Sequence, residues 1–327
     1  MEKLTIAIDS MGGDLGSAAM VEGAASAMEA YPFVEPVLFG DENILRGEVK
    51  KYREMKIIHA PTVIEPNESP TLAFRRKKDS SIVMGLKYVK EGNASGFVSA
   101  GSTGALLTGA TVIIGRKPGI ERPALGTLLP TKTGHVLLMD CGANMDCKPS
   151  YLAQFAQLGA EYMQKCMKIE SPRVGLINVG TEDEKGNAAV KEAFSLLSEI
   201  SPGSIENFAY AGNFIFAGNI EGREILSGEV DVAVCDGFTG NVLLKFAEGF
   251  AKSMMGMVKE ELMATTVSKI GALMAKGSFK RLKKRFDYRE VGGAPFLGLN
   301  QLVVKAHGSS DALAIKNAIR QCVEYQM

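Results

Sequence analysis

The chain has no tryptophan, only three histidines and 7% aromatic residues, which argues against an aromatic-packed β-sandwich. It has no excess charge of either sign. Its 37 Lys+Arg balance 37 Asp+Glu over 327 residues, so it lacks the global field that draws nucleic acid, and no nucleic-acid partner is expected. No CxxC pair or Cys/His cluster with zinc spacing occurs, and Cys141, Cys147, Cys166, Cys235 and Cys322 read as reduced, mostly buried thiols of a cytosolic protein. No run is long enough to span a bilayer, the longest nearly apolar one being Ala105 to Gly115. Met1-Glu2-Lys3 leads straight into an apolar strand pattern, so no signal peptide is expected and the location is read as cytoplasmic. Three catalytic signatures are also missing. There is no GxGxxG, no HExxH, and no GxSxG, since Ala100 stands where Ala100-Gly101-Ser102-Thr103-Gly104 would need its first glycine. Gly175 to Thr181 has the spacing of a phosphate loop without its lysine.

What the chain has is glycine, 36 residues of it, set between short apolar runs and helical patterns. Leu4 to Ile8, Val37 to Phe39, Lys56 to Ile58, Gly96 to Val98, Arg173 to Ile177, Asn207 to Tyr210 and Val230 to Val234 read as buried strands. Ala18 to Ala30, Leu72 to Val89, Ala105 to Ile114, Tyr151 to Met167 and Ala188 to Ile200 read as helices between them. This alternation predicts an α/β protein, a three-layer α/β/α sandwich with a mainly parallel sheet, forming a single domain over residues 1–327. Ala124 to Pro130 and His135 to Met139 predict an antiparallel hairpin turning at Lys132-Thr133-Gly134. The rhythm breaks over residues 246–286, which read as two long helices forming a protruding amphipathic hairpin. Lys252 to Arg285 carries nine basic residues against two acidic ones, a net charge of +7 in a neutral chain. A solvated charge run over a core stripe and an amphipathic contact with a second copy or with anionic lipid both fit that pattern.

Six polar, glycine-rich turns follow apolar runs, where open α/β sheets bind ligands. They are Asp9 to Asp14, Ser99 to Gly104, Asp140 to Asp146, Asn178 to Glu182, Asp236 to Asn241 and Lys305 to Asp311. Turns of this kind present backbone N–H groups to an anion, and six at corresponding ends of one sheet predict a shared phosphate or oxyanion pocket. The substrate-binding candidates are Asp9, Gly12, Gly13, Asp14, Gly101, Ser102, Thr103, Gly104, Asn144, Asp146, Asn178, Gly180, Gly237, Thr239, Gly240 and Ser309. Lys305 and His307, two residues apart on one strand face ahead of a helix start, are the catalytic candidates, with Asp236 and Asn241 to orient them. His59 and His135 read as structural or exposed. Asp140, Asn144 and Asp146 have the oxygen chemistry of a magnesium site, although neither metal nor cofactor is expected.

The chain resembles the bacterial phosphate acyltransferase (PlsX) family. The likeness is carried by Ile8 to Asp14, Ser99 to Leu106, Gly119 to Leu125, Gly142 to Asp146, Pro172 to Glu182, Cys235 to Val242 and Val304 to Asp311, in order along nearly the whole chain. It departs at Ser102, where the family usually has Asn, and at Leu15-Gly16-Ser17. The resemblance implies the isocitrate dehydrogenase/phosphotransacetylase fold, usually as a homodimer. It implies transfer of a long-chain acyl group from acyl carrier protein to phosphate, giving acyl phosphate for a downstream membrane glycerol-3-phosphate acyltransferase. It also implies peripheral association with an anionic membrane surface, for which Lys280, Arg281, Lys283 and Lys284 are the candidates. An acidic carrier would seek a basic patch such as Arg75-Arg76-Lys77-Lys78 or Arg116-Lys117. The acyl chain needs an apolar channel, for which Met254, Met255, Met257 and Met274 are candidates, although such stripes also serve as core.

Overall fold

A computed structural model describes residues 3–65, 67–199 and 214–327. The strands are β1 (Leu4–Asp9), β2 (Val34–Gly40), β3 (Lys56–His59), β4 (Gly96–Ser99), β5 (Ala124–Pro130), β6 (His135–Met139), β7 (Arg173–Asn178), β8 (Ile215–Glu221), β9 (Val232–Val234), β10 (Ala294–Leu297) and β11 (Leu302–Lys305). They form one sheet in the order β3-β2-β1-β4-β11-β10-β5-β6-β9-β7-β8. Alternate residues of each strand serve opposite faces. Ile6, Ile8, Val98 and Val304 join one buried apolar cluster, while Ala7, Phe97 and Val303 join the other. Helices cover both faces, as Gly16–Ala30, Pro149–Met167 and Ala312–Gln326 do for the first cluster.

Strand direction decides where function can sit. β3, β2, β1, β4 and β11 are mutually parallel. β10 runs antiparallel to both β11 and β5, and β5 antiparallel to β6. β6, β9, β7 and β8 are again mutually parallel. Three successive reversals leave the second parallel block pointing opposite to the first. Strand ends of the first block therefore open on one edge of the sheet and those of the second block on the other.

The predicted hairpin forms, pairing Pro130 with His135 and Gly126 with Met139. Other expectations change. The helix expected from Leu72 to Val89 is two, Pro70–Arg76 and Ser81–Lys90, because the Ser80 hydroxyl caps the second by accepting from Val83 N at 3.4 Å. The run after residue 246 is not two helices but three, Gly237–Ala264, Thr266–Met274 and Lys276–Arg285, broken where Thr265 and Ser268 close a capping box. β8 and β10 were not anticipated, and Asn207 to Tyr210 lies outside the described residues.

Candidate active site

At the first edge the loops after β1, β4 and β11 interlock. Asp9 is buried, and its carboxylate accepts from the Ser99 hydroxyl at 2.7 Å and from Met11 N at 3.2 Å. Ser99 Oγ in turn accepts from Gly101 N at 3.0 Å. Asp14 N donates to the Gly308 carbonyl at 2.7 Å, tying the first loop to the last. Gly12 has to be glycine, because a Cβ there would lie 2.6 Å from Gly101 N. Thr103 and Gly104 stand exposed at the start of the helix Thr103–Gly109, and Ser102 caps it by accepting from Ala105 N at 3.4 Å.

Lys305 closes β11, partly buried, with its ammonium donating to the carbonyls of Ala100, at 3.3 Å, and Ala306. Burial pushes its pKa down to about 8, while the charges of Asp9 and Asp14 pull it back up. His307 lies beyond the strand, in the turn. The shared strand face expected for the pair is therefore replaced by a shared loop, with Lys305 turned inward and His307 exposed. His307 Nδ1 lies 2.8 Å from Ser309 Oγ. Ser310 is buried and its hydroxyl has no hydrogen-bond partner. Asp311 caps the helix Ala312–Gln326 by accepting from Ala314 N at 3.1 Å.

The opposite edge holds the loops after β6, β9 and β7. Asp140 organises it. Burial pushes this carboxyl above its ordinary range, while five N–H groups stabilise its anion: the amides of Leu125, Gly142, Ala143 and Asn144 and the Asn144 side chain, at 2.7–3.1 Å. A carboxylate so committed has little left for a metal, and among the described residues no group of three or more His, Cys, Asp or Glu is placed to hold one. Asp236 is equally engaged. It caps the helix Gly237–Ala264, accepting from Thr239 N at 2.8 Å and from the Thr239 hydroxyl at 2.9 Å. Gly237 N donates to Asn144 O at 2.7 Å and Gly240 N to Asp236 O at 3.0 Å, so these amides are not left for an oxyanion. Asn241 reaches the Cys141 carbonyl at 3.4 Å, and Asn178 holds the turn through Lys185 O at 3.0 Å, with Gly180 beside Glu182 and Lys185. Two open clefts of about 390 and 520 Å³ meet at exposed Asp146 and at Met145.

The six predicted turns thus form two groups of three. Asp236 and Asn241 cannot orient Lys305 and His307 within one chain: β9 and β11 are four strand steps apart, roughly 19 Å across the sheet, and end at opposite edges. Tyr288 and Arg289 join the first edge without having been anticipated, whereas Ser99 and Ser310 lie within the predicted turns, and the cap expected at Ser309 or Ser310 falls to Asp311. Ser99 is legible as the end of an apolar run, but Tyr288 and Arg289 follow the basic helices and carry no strand-end signal.

Away from these edges, Lys77 is withdrawn from the basic patch. It pairs with Glu68 and donates to Val63 O at 2.7 Å, whereas Arg75, Arg76 and Lys78 stay exposed. Lys280, Arg281, Lys283 and Lys284 lie on a helix with no buried residue. Met254, Met257 and Met274 are 47%, 55% and 85% exposed, so they neither pack a core nor wall an enclosed channel. Among the described residues no helix is long and apolar enough to cross a membrane.

A family model described as "fatty acid synthesis protein" matches residues 4–326. The chain belongs to this family. Its relatives include the phosphate acyltransferase of Clostridium beijerinckii, 48% identical over 97% of this chain and 94% of that protein. The phosphate acyltransferase of Clostridium kluyveri is 45% identical over 98% of this chain and 93% of its own length. Family membership makes the chain an acyltransferase of fatty acid and phospholipid synthesis. Among solved structures it superposes on EutD phosphotransacetylase from Staphylococcus aureus with a TM-score of 0.65 at 19% identity, covering 99% of this chain and 94% of that one. A phosphotransacetylase from Streptococcus pyogenes gives 0.66 at 20% identity, covering 99% and 95%. These two share the fold, so the family is built on a phosphotransacetylase-like scaffold.

Proposed function

We propose that the chain moves a long-chain acyl group from the thioester of acyl carrier protein to orthophosphate, yielding acyl phosphate for phosphatidic acid synthesis, and that the first-edge loops carry the reaction. A phosphate oxygen attacks the thioester carbon, the new C–O bond forms as the C–S bond breaks, and the carrier thiolate leaves. The observation that carries this reading is Lys305, a partly buried ammonium with a pKa pushed down to about 8 among three interlocked loops. A thiol leaves with a pKa near 8.5, so an ammonium near 8 is matched to return the proton to sulfur. Asp9 and Asp14 offset its charge, which favours this acid role over that of phosphate anchor. His307, exposed on the same loop, is the donor for the phosphate, with Ser309 holding its ring and Gly101 to Gly104 flanking the acyl carbonyl.

The finer parts of the reading rest on surfaces. Arg75, Arg76 and Lys78 supply positive charge for an acidic carrier. The helix Lys276–Arg285 supplies it for an anionic membrane, near the glycerol-3-phosphate acyltransferase that would consume the product. Phe238, Val242, Phe246 and Phe250 repeat every four residues along Gly237–Ala264, each more than half exposed, and supply an apolar stripe for a homodimer. Such a dimer offers a way for the second-edge loops of one copy to serve the first-edge site of another.

The test is release of free thiol from palmitoyl-carrier with and without phosphate. Phosphate-dependent release is expected, and release from acetyl-CoA alone would mark a phosphotransacetylase instead. Saturable carrier binding with no phosphate-dependent release would reduce the protein to a scaffold.

A further inference from the structure

Just past the basic helices, the turn Tyr288–Val291 packs against the loop that bears His307. The Tyr288 ring lies 5.6 Å from the imidazole, tilted by 55°, and its hydroxyl lies 3.1 Å from Ser309 Oγ. Ser309 Oγ is 2.8 Å from His307 Nδ1, and the Ser309 backbone N–H donates to the same nitrogen at 3.2 Å. A backbone N–H can only donate, so Nδ1 is an acceptor and the neutral ring carries its proton on Nε2. The Ser309 hydroxyl then gives its one proton to Nδ1 and keeps its lone pairs for Tyr288. The three side chains form a hydrogen-bonded chain, Tyr288 to Ser309 to His307, with the Tyr288 hydroxyl also 3.4 Å from the Ser309 carbonyl, and it ends in the Nε2–H of the exposed imidazole.

The turn is itself pinned. Arg289 bridges Asp287 at 2.6 Å and Asp311 at 2.8 Å, and the Asn317 side chain donates to Arg289 O at 2.8 Å. Asp311 is the cap of the helix Ala312–Gln326, so Tyr288 is referenced to the same helix end as the loop it touches.

We propose that Tyr288 is a positioning residue, which acts through Ser309 to hold the His307 imidazole with Nε2–H turned toward the phosphate and the reacting carbonyl. The proposal rests on the reading of His307 as a site residue. The reverse tautomer would aim a lone pair at a phosphate dianion and repel it, so holding the tautomer has direct consequences for the reaction. Hydrogen-bond chains of this kind polarise their terminal donor.

The experiment compares Tyr288→Phe with wild type in phosphate-dependent thiol release and in ¹⁵N NMR of the imidazoles. There are only three histidines, and His307→Asn identifies the signals of the third. Tyr288→Phe is expected to lower kcat about tenfold with little change in the KM for phosphate. The thermal midpoint should hold, and the His307 nitrogen shifts should move from a pure Nε2–H pattern toward a tautomer mixture. An unchanged kcat in Tyr288→Phe, with His307→Asn still inactive, overturns the role of Tyr288 alone. A lower kcat with unaltered His307 shifts and a lowered midpoint also overturns it, as a packing effect. Full activity in His307→Asn removes the reading beneath it as well.

Discussion

Replacing Lys305 by methionine probes the electrostatics of the first edge. Burial holds this ammonium at a pKa of about 8 against an ordinary 10.5, with Asp9 and Asp14 opposing the effect. The gap is about 2.5 pH units, and at about 1.4 kcal/mol per unit, keeping Lys305 charged at pH 7 costs the fold about 3 kcal/mol. The folded chain binds fewer protons than the unfolded chain between pH 8 and pH 10.5, so this residue's contribution makes stability rise with pH across that window. Below pH 8 the penalty is present in full. Methionine keeps the length and discards the charge. Its gain is smaller than this penalty, in which the attraction of Asp9 and Asp14 is already counted, because the Ala100 and Ala306 carbonyls lose a donor. The expected outcome in urea unfolding is a variant about 1–2 kcal/mol more stable than wild type at pH 7, the difference fading toward pH 10.5, while phosphate-dependent turnover falls at least about tenfold. A variant less stable than wild type at pH 7, or a stability difference that does not shrink as pH rises, would refute the assignment of Lys305 as a strained site cation.

Two further outcomes follow from packing and charge. Gly240→Ala would drive a Cβ into the Asp140 carbonyl oxygen, so it should cost at least about 2 kcal/mol, seen as a lower thermal midpoint; an unchanged midpoint means the Asp140 loop yields freely. Changing Lys280, Arg281, Lys283 and Lys284 together to Glu should abolish co-sedimentation with anionic vesicles without altering thiol release from soluble carrier, and binding that persists removes this helix from any lipid contact.

Much of the scaffold is written locally. The apolar runs at Leu4, Gly96 and Arg173 and the hairpin at Lys132 announce themselves by pattern, because a buried strand has to be apolar on both faces and two such runs a few residues apart pair with each other. The helix break at Ser80 is harder to see, since the helical spacing of apolar residues runs on through it and a capping hydroxyl with an anchored Lys77 decides the matter. The amides of Gly237 and Gly240 look available in sequence and are spent on Asn144 and Asp236 in the fold. Tyr288 illustrates the same limit, being brought to His307 by a turn whose position depends on where β10 enters the sheet.

By itself the sequence determined the alternation of strands and helices, the polar turns at the strand ends and the family to which those turns belong, because each is carried by residues close together in the chain. Only the tertiary structure decided that those turns divide between two edges. A buried apolar strand reads the same in either direction, and its orientation is set by the partners it hydrogen-bonds. Here the antiparallel insertion of β10 and β5 turns half of the sheet around.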